Sequence, residues 1–242
     1  MSGFGPTRAL PSNMSWMSAL KPIPDLPNLW LECAAILARR RRPSARIAET
    51  YPAGDRFSVA HGPVSAILVP LLLVGLCGDV PLSLVVVALV HPSHPLLIHA
   101  VVAATGLMGL GWVMAVKSAL CALPHVVSGD ALWIGGGVRL SGVVPKAAIK
   151  RLLVIPGTRH EWMAEQGVAR DQFVLASGYD SPNLAVELWP EAVTSVEMKS
   201  SRRPICPRRW VLLYADKPDA LSAAVSTDPP RLVEALATPQ AV

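Results

Sequence analysis

Hydrophobic positions run together from residue 57 to residue 116, a stretch of sixty residues with one formal charge, Asp79. Two apolar runs lie inside it, 64–90 and 96–116, separated by His91-Pro92-Ser93-His94-Pro95. A bilayer core about 30 Å thick needs about 20 helical residues at roughly 1.5 Å each. The second run has that length without interruption. The first is marked by Gly78-Asp79-Val80-Pro81, and neither piece, 64–77 or 82–90, is long enough to cross alone. The pattern predicts one kinked helix in which Pro81 opens the backbone bond to the carbonyl of Cys77. Two crossings, about 64–90 and 96–118, then make a transmembrane hairpin within residues 63–121.

The flanks have different periods. Residues 1–24 are rich in Ser, Pro and Gly and predict disorder. In the basic segment 25–62, Asp25 is placed to cap a helix from 26 to about 41, with Pro27 in its first turn. Leu26, Trp30, Cys33 and Leu37 recur on one side, and arginines gather at the C-terminal end, where they suit the helix dipole. Such a helix either lies on a membrane surface or packs on protein.

From His125 the pattern becomes short alternating segments: 131–134, the turn Gly135-Gly136-Gly137, 138–140, 143–144, 151–155, 172–177, 184–189, 193–198 and 210–215. Leu184, Val186 and Leu188 are predicted on one face of their strand, with Ala185, Glu187 and Trp189 on the other. Residues 156–171 read as a loop. Asp216-Lys217-Pro218 reads as a helix start with Leu221, Ala224 and Val225 on one face, and a second short helix is expected over 230–237. About seven strands closed by a C-terminal helix predict a small half-open barrel over 125–226, followed by a tail, 227–242. The expected class is an α+β membrane protein.

Composition supports the division. Hydrophobic residues make up 52% and charged residues 16% of the 242, against roughly 25% charged in a soluble domain, and mean hydropathy is +0.41. The net charge of +5 is clustered. Arg39, Arg40, Arg41, Arg42, Arg46 and Arg56 precede the first crossing and Lys117 closes the second, while the connecting loop has no Lys or Arg. The positive-inside rule places both termini in the cytoplasm and the loop outside, giving a multi-pass cell (inner) membrane protein. No signal peptide is expected. Cys33, Cys77, Cys121 and Cys206 are scattered without a C-x-x-C pair, which argues for reduced thiols and against a zinc site or disulfide framework.

The order of features resembles a group of uncharacterised bacterial membrane proteins in which a helical hairpin is followed by a pleckstrin-homology-like (PH-like) domain. The residues that carry it are Gly129-Asp130-Ala131-Leu132-Trp133-Ile134, Gly137-Val138-Arg139, Pro145-Lys146-Ala147-Ala148-Ile149, Pro182-Asn183-Leu184-Ala185-Val186-Glu187-Leu188 and Asp216-Lys217-Pro218-Asp219-Ala220-Leu221, with Asp79 as the acidic residue of the first crossing. The resemblance spans about 53–225 and implies a fold and a location. It brings no catalytic residues. Phosphoinositide-binding PH domains place several Lys and Arg in the first hairpin, whereas this turn is glycine with only Arg139 nearby, which argues against specific inositide binding.

Asp79 is the sharpest candidate residue. A carboxylate at bilayer depth costs roughly 2.5–3.5 kcal/mol on insertion scales. Three roles are open to it: a polar clamp between helices or copies, a proton or ion relay beside Pro81, or an interfacial position. Arg39, Arg40, Arg41 and Arg42, and a basic loop containing Lys199, Arg202, Arg203, Arg208 and Arg209, are candidate contacts for anionic lipid. His91, His94 and His99 lack a rigid frame for a metal, and no metal site or cofactor is expected. His160 and Glu161 are adjacent in the expected loop, and no G-x-S-x-G, P-loop or H-E-x-x-H pattern is present. The expectation is a non-catalytic docking or scaffold protein. The alternative is an accessory subunit of a transporter or proton-linked complex using Asp79. Expected partners are the lipid bilayer, a membrane or cytoplasmic protein and a further copy of the chain as a possible homo-oligomer, with no nucleic acid.

Overall fold

The computed structural model describes residues 23, 25–91, 93–136, 139–200, 203–206 and 208–226. Apart from Ile23, the lead expected to be disordered lies outside them, as do Gly137, Val138, Arg202, the tail and the helix expected over 230–237.

Helix α1 (Leu29–Leu37) begins later than the Asp25 cap predicts. Pro27 disfavours helical geometry at Leu26. Asn28 supplies the cap instead, its side chain accepting from Trp30 N at 3.0 Å and Leu31 N at 3.4 Å. Asp25 pairs with Lys199. The helix also stops short of the arginines: Arg39 takes the left-handed conformation, φ +51°, and Arg39 through Arg42 form the turn into α2 (Pro43–Ala48).

Strand β1 (Asp55–Phe57) comes next, then α3 (Pro63–Val90) and α4 (Pro95–Ala122), 28 residues each. Helix α3 is continuous through Pro70 and Pro81. The two helices pack side by side. Gly106 meets Leu76 so closely that a Cβ there would collide, and Ser83 Oγ lies 3.0 Å from His99 Nδ1 across the pair. Their most apolar windows have mean hydropathies of 2.3 and 1.9, with 6% and 0% of those windows buried. These are not the covered core helices of a soluble domain.

The chain continues through β2 (His125–Val127), β3 (Ala131–Gly135), β4 (Ser141–Pro145), β5 (Ile149–Val154), α5 (Arg159–Glu165), β6 (Phe173–Leu175), β7 (Leu184–Leu188), β8 (Glu197–Ser200), β9 (Arg203–Ile205), β10 (Trp210–Leu213) and α6 (Pro218–Ser226). Among the described residues no closed barrel forms. There are two open sheets, β1-β2-β3-β4-β8-β9 and β5-β7-β10-β6. They enclose a core of Leu132, Ile134 and Val144 from one and Leu184, Val186, Leu188, Val211 and Leu213 from the other, with Leu221 and Val225 of α6. The predicted alternation of β7 holds. Its second face is also buried, because α5 lays Trp162 and Met163 over Ala185, Trp210 and Leu212.

Three local expectations change. The expected loop 156–171 contains α5, started by a capping box in which Thr158 Oγ1 accepts from Glu161 N and Thr158 N donates to Glu161. Residues Pro190–Ser195 form a 3-10 turn rather than the start of a strand, with Pro190 at its first position. The expected basic loop after Lys199 contains β9, which pairs with β8.

The first strand was not expected at all, and it changes how the hairpin is attached. Phe57 is the register partner of His125 in the β1–β2 pair. The two long helices are therefore inserted between neighbouring antiparallel strands of one sheet, which fixes both ends where they meet the domain.

Candidate functional site

Several polar side chains converge where the helical pair meets the domain. Helix α3 opens on Gly62-Pro63, which offers no capping side chain. Asp180, from the loop between β6 and β7, takes that role: its Oδ1 accepts from Val64 N at 2.7 Å and Ser65 N at 3.4 Å. A carboxylate there satisfies free N–H groups and suits the positive end of the helix. Gly62 is required, because a Cβ would collide with the Asp180 carboxyl.

A second carboxylate fixes the chain just before α3. Asp216 accepts from His61 N at 3.1 Å and from His61 Nδ1 at 2.8 Å, and its own N–H donates to Ser58 O at 2.9 Å. Burial pushes its pKa up, but hydrogen bonds from Ser58 and His61 outweigh that and hold it below the usual carboxylate range. From α4, Lys117 Nζ donates to Ala60 O and, at 3.5 Å, to Ser65 O. Tyr214 stands beside both acids. Burial and then the Asp216 and Asp180 charges raise its pKa to about 12.

His125, the first residue of β2, completes this floor. Its Nε2 donates to Tyr214 O at 2.9 Å and its Nδ1 accepts from Gly135 N at 3.1 Å. Burial lowers its pKa to about 4, against the pull of the Tyr214 carbonyl and the Asp216 charge. With both ring nitrogens engaged by backbone, this neutral histidine has no lone pair or proton to offer a substrate. The cavity between His125, Tyr179, Asp180 and Tyr214 is about 10 Å³, the size of one water rather than of a small-molecule ligand.

A third lock ties the N-terminal segment to α4. Glu32 is fully buried and accepts from Ser44 N at 2.9 Å, Ser44 Oγ at 2.6 Å and Ser118 Oγ at 2.6 Å. Arg42 donates to Ser118 Oγ at 2.9 Å. Glu32 thus caps α2 as Asp180 caps α3.

The residues singled out in the sequence are dispersed. Asp79 is exposed on α3. Arg41 pairs with Glu49 and Arg42 reaches Ser118, while Arg39 and Arg40 are exposed. Arg203 lies exposed on β9 and Arg208 just before β10. Arg209, with Arg151 and Lys150, surrounds the buried carboxylate of Glu187 at 2.6, 2.5 and 3.1 Å. Burial pushes the Glu187 pKa up, but the three cations hold it down at about 2. β10 runs from Arg209 toward Asp216, so this cluster sits at the end of its sheet remote from the helices. His160 is exposed and Glu161 is the α5 cap. The four cysteines are unpaired, and among the described residues no group of three or more His, Cys, Asp or Glu could hold a metal ion.

Sequence reasoning missed three separate locks: Asp180 on Val64 and Ser65, Asp216 on His61, and Glu32 on Ser44 and Ser118. Two signals were present: a helix opening on Gly-Pro with no cap of its own, and a lone acid in the apolar run Leu29-Trp30-Leu31-Glu32-Cys33. Compared with family models, curated proteins and solved structures, the chain matches none of them.

Proposed function

We propose that this chain is a membrane-anchored, non-catalytic docking protein whose hairpin crosses a bilayer and holds the α+β domain against its cytoplasmic face. The observation that carries this is the pair of 28-residue apolar helices left almost uncovered by the rest of the chain. Among the described residues, they are held to the domain at the end where Asp180, Asp216 and Lys117 lie. Lys117 and the arginines lie at that end and no Lys or Arg occupies the tip, which supports cytoplasmic termini. The order of hairpin, two sheets and closing helix supports a PH-like surface by analogy of fold alone. Because the helices are bolted to the sheet edge, a docked partner would be held at a set height and orientation.

Purification in mild detergent, with identification of what remains bound, tests the docking role. Co-purifying proteins retained through the domain are expected, and an isolated monomer under conditions that preserve other membrane complexes would overturn it. Reporters fused at Val242 and inserted at the His91–His94 tip test the topology. They should read cytoplasmic and exported respectively.

The exposure of Asp79 favours a second reading, an accessory subunit in which that carboxylate acts directly on a proton or ion. Loss of a transport phenotype in Asp79→Asn, with the protein still inserted, is the outcome that would select it.

A further inference from the structure

Helix α1 is amphipathic in the inverted sense. Its only charged residue, Glu32, is fully buried against α2 and α4, while Trp30, Leu31 and Leu37 are 57%, 59% and 77% exposed. With Ala34, these make one outward stripe at helical spacing. A surface helix in water presents the opposite arrangement.

Contacts with α4 fix where this stripe lies. Trp30 stacks edge-on against Trp112 of α4 with ring centroids 5.0 Å apart, and Cys33 Sγ sits against Gly111. Counted from Pro95, about 20 residues of α4 cover a hydrocarbon core of about 30 Å and end near Met114. Beyond that, Ala115, Val116, Ser118, Ala119 and Leu120 are buried in protein. The Trp30–Trp112 pair is thus at the level where aromatic residues mark a membrane boundary. Leu31 and Leu37 are exposed, as are Leu107 and Met108 on α4 itself. The turn that follows α1 presents Arg39 and Arg40, the side chains that pair with lipid phosphates. The Glu32–Ser44–Ser118 bonds hold the whole unit in place.

We propose that α1 is a third membrane element, immersed beside α4 in the leaflet next to the domain, with Trp30, Leu31 and Leu37 in contact with lipid acyl chains. This rests on the hairpin being inserted.

Nitroxide labels test it on the full chain with its native cysteines replaced by Ser. The protein is reconstituted in vesicles of phosphatidylethanolamine and phosphatidylglycerol. Labels go on Leu31→Cys and Leu37→Cys, with Leu84→Cys on the outer face of α3 and Glu165→Cys on α5 as references. Positions 31 and 37 should collide with oxygen severalfold more, relative to a water-soluble nickel chelate, than position 165 does. Nickel access at 31 and 37 equal to that at 165 would overturn the proposal. Shielding from both reagents would also overturn it, because protein rather than lipid would then cover the stripe. Position 84 separates the two levels. If it is lipid-exposed while 31 and 37 are wet, only the placement of α1 fails; if nickel reaches 84, the anchor itself fails.

Discussion

Asp180 Oδ1 accepts the backbone N–H of Val64 at 2.7 Å, across 116 residues of sequence. One side chain of the β6–β7 loop thereby serves as the N-cap of a 28-residue helix. Replacing a capping Asp with Ala costs about 1 kcal/mol, so Asp180→Ala should lower the stability of the purified protein by about that amount. Asp180→Asn, which keeps an accepting oxygen, should lose less. Denaturant titration in mild detergent, followed by tryptophan fluorescence, reads both.

Glu32→Ala should loosen α1 and α2 from α4. Three donors lose their acceptor in a buried site, at a cost of about 1–3 kcal/mol. Tryptic cleavage in the Arg39-Arg40-Arg41-Arg42 turn should then accelerate, by roughly fivefold or more if local opening limits cleavage. Unchanged cleavage would show that the lock adds nothing to the attachment of the segment.

His125 sets one acid limit. Burial holds its folded pKa at about 4 against an ordinary 6.5, so the unfolded chain takes up the proton first. The contribution is complete above pH 6.5 and is lost as pH falls toward 4, amounting to about 3 kcal/mol at 1.36 kcal/mol per pH unit. Unfolding free energy measured from pH 7 to pH 4 should slope downward, and His125→Gln should flatten that slope.

Glu187 sets a lower one. Its folded pKa of about 2 lies below the ordinary 4.5, so its contribution is present above pH 4.5 and disappears between 4.5 and 2. Arg151 and Arg209 are about half exposed, and solvent screening brings the effect below the roughly 3 kcal/mol that the shift alone implies. Raising salt at pH 6 should weaken it further. Arg209→Gln should move the acid transition upward in pH.

Asp79 is exposed on α3. If α3 enters a bilayer there, Asp79→Leu should favour insertion by roughly 2.5–3.5 kcal/mol, read by the glycosylated fraction of a reporter segment carrying α3. A substitution without effect would place Asp79 outside the hydrocarbon.

The long helices were legible because length and the absence of charge are local properties of a sequence. So were the faces of β7 and β10, where residues of alternate position enter opposite layers. Even α5 left a local trace in Thr158 and Glu161, at capping-box spacing. Strand β1 left none: three residues beginning Asp-Arg carry no alternating apolar signal, and only pairing with β2 makes them a strand. The same limit applies to the junction. Asp180, Asp216, Glu32 and Lys117 read singly as polar residues in a loop, before a helix, within an apolar run and at the end of an apolar run. Hydropathy summed over neighbours determined that there is a hairpin and which way its charges lie. How the hairpin is held, with its ends between β1 and β2 and its first helix capped from a distant loop, was decided only by the tertiary structure, because a hydrogen bond between residues 116 positions apart has no period in the sequence.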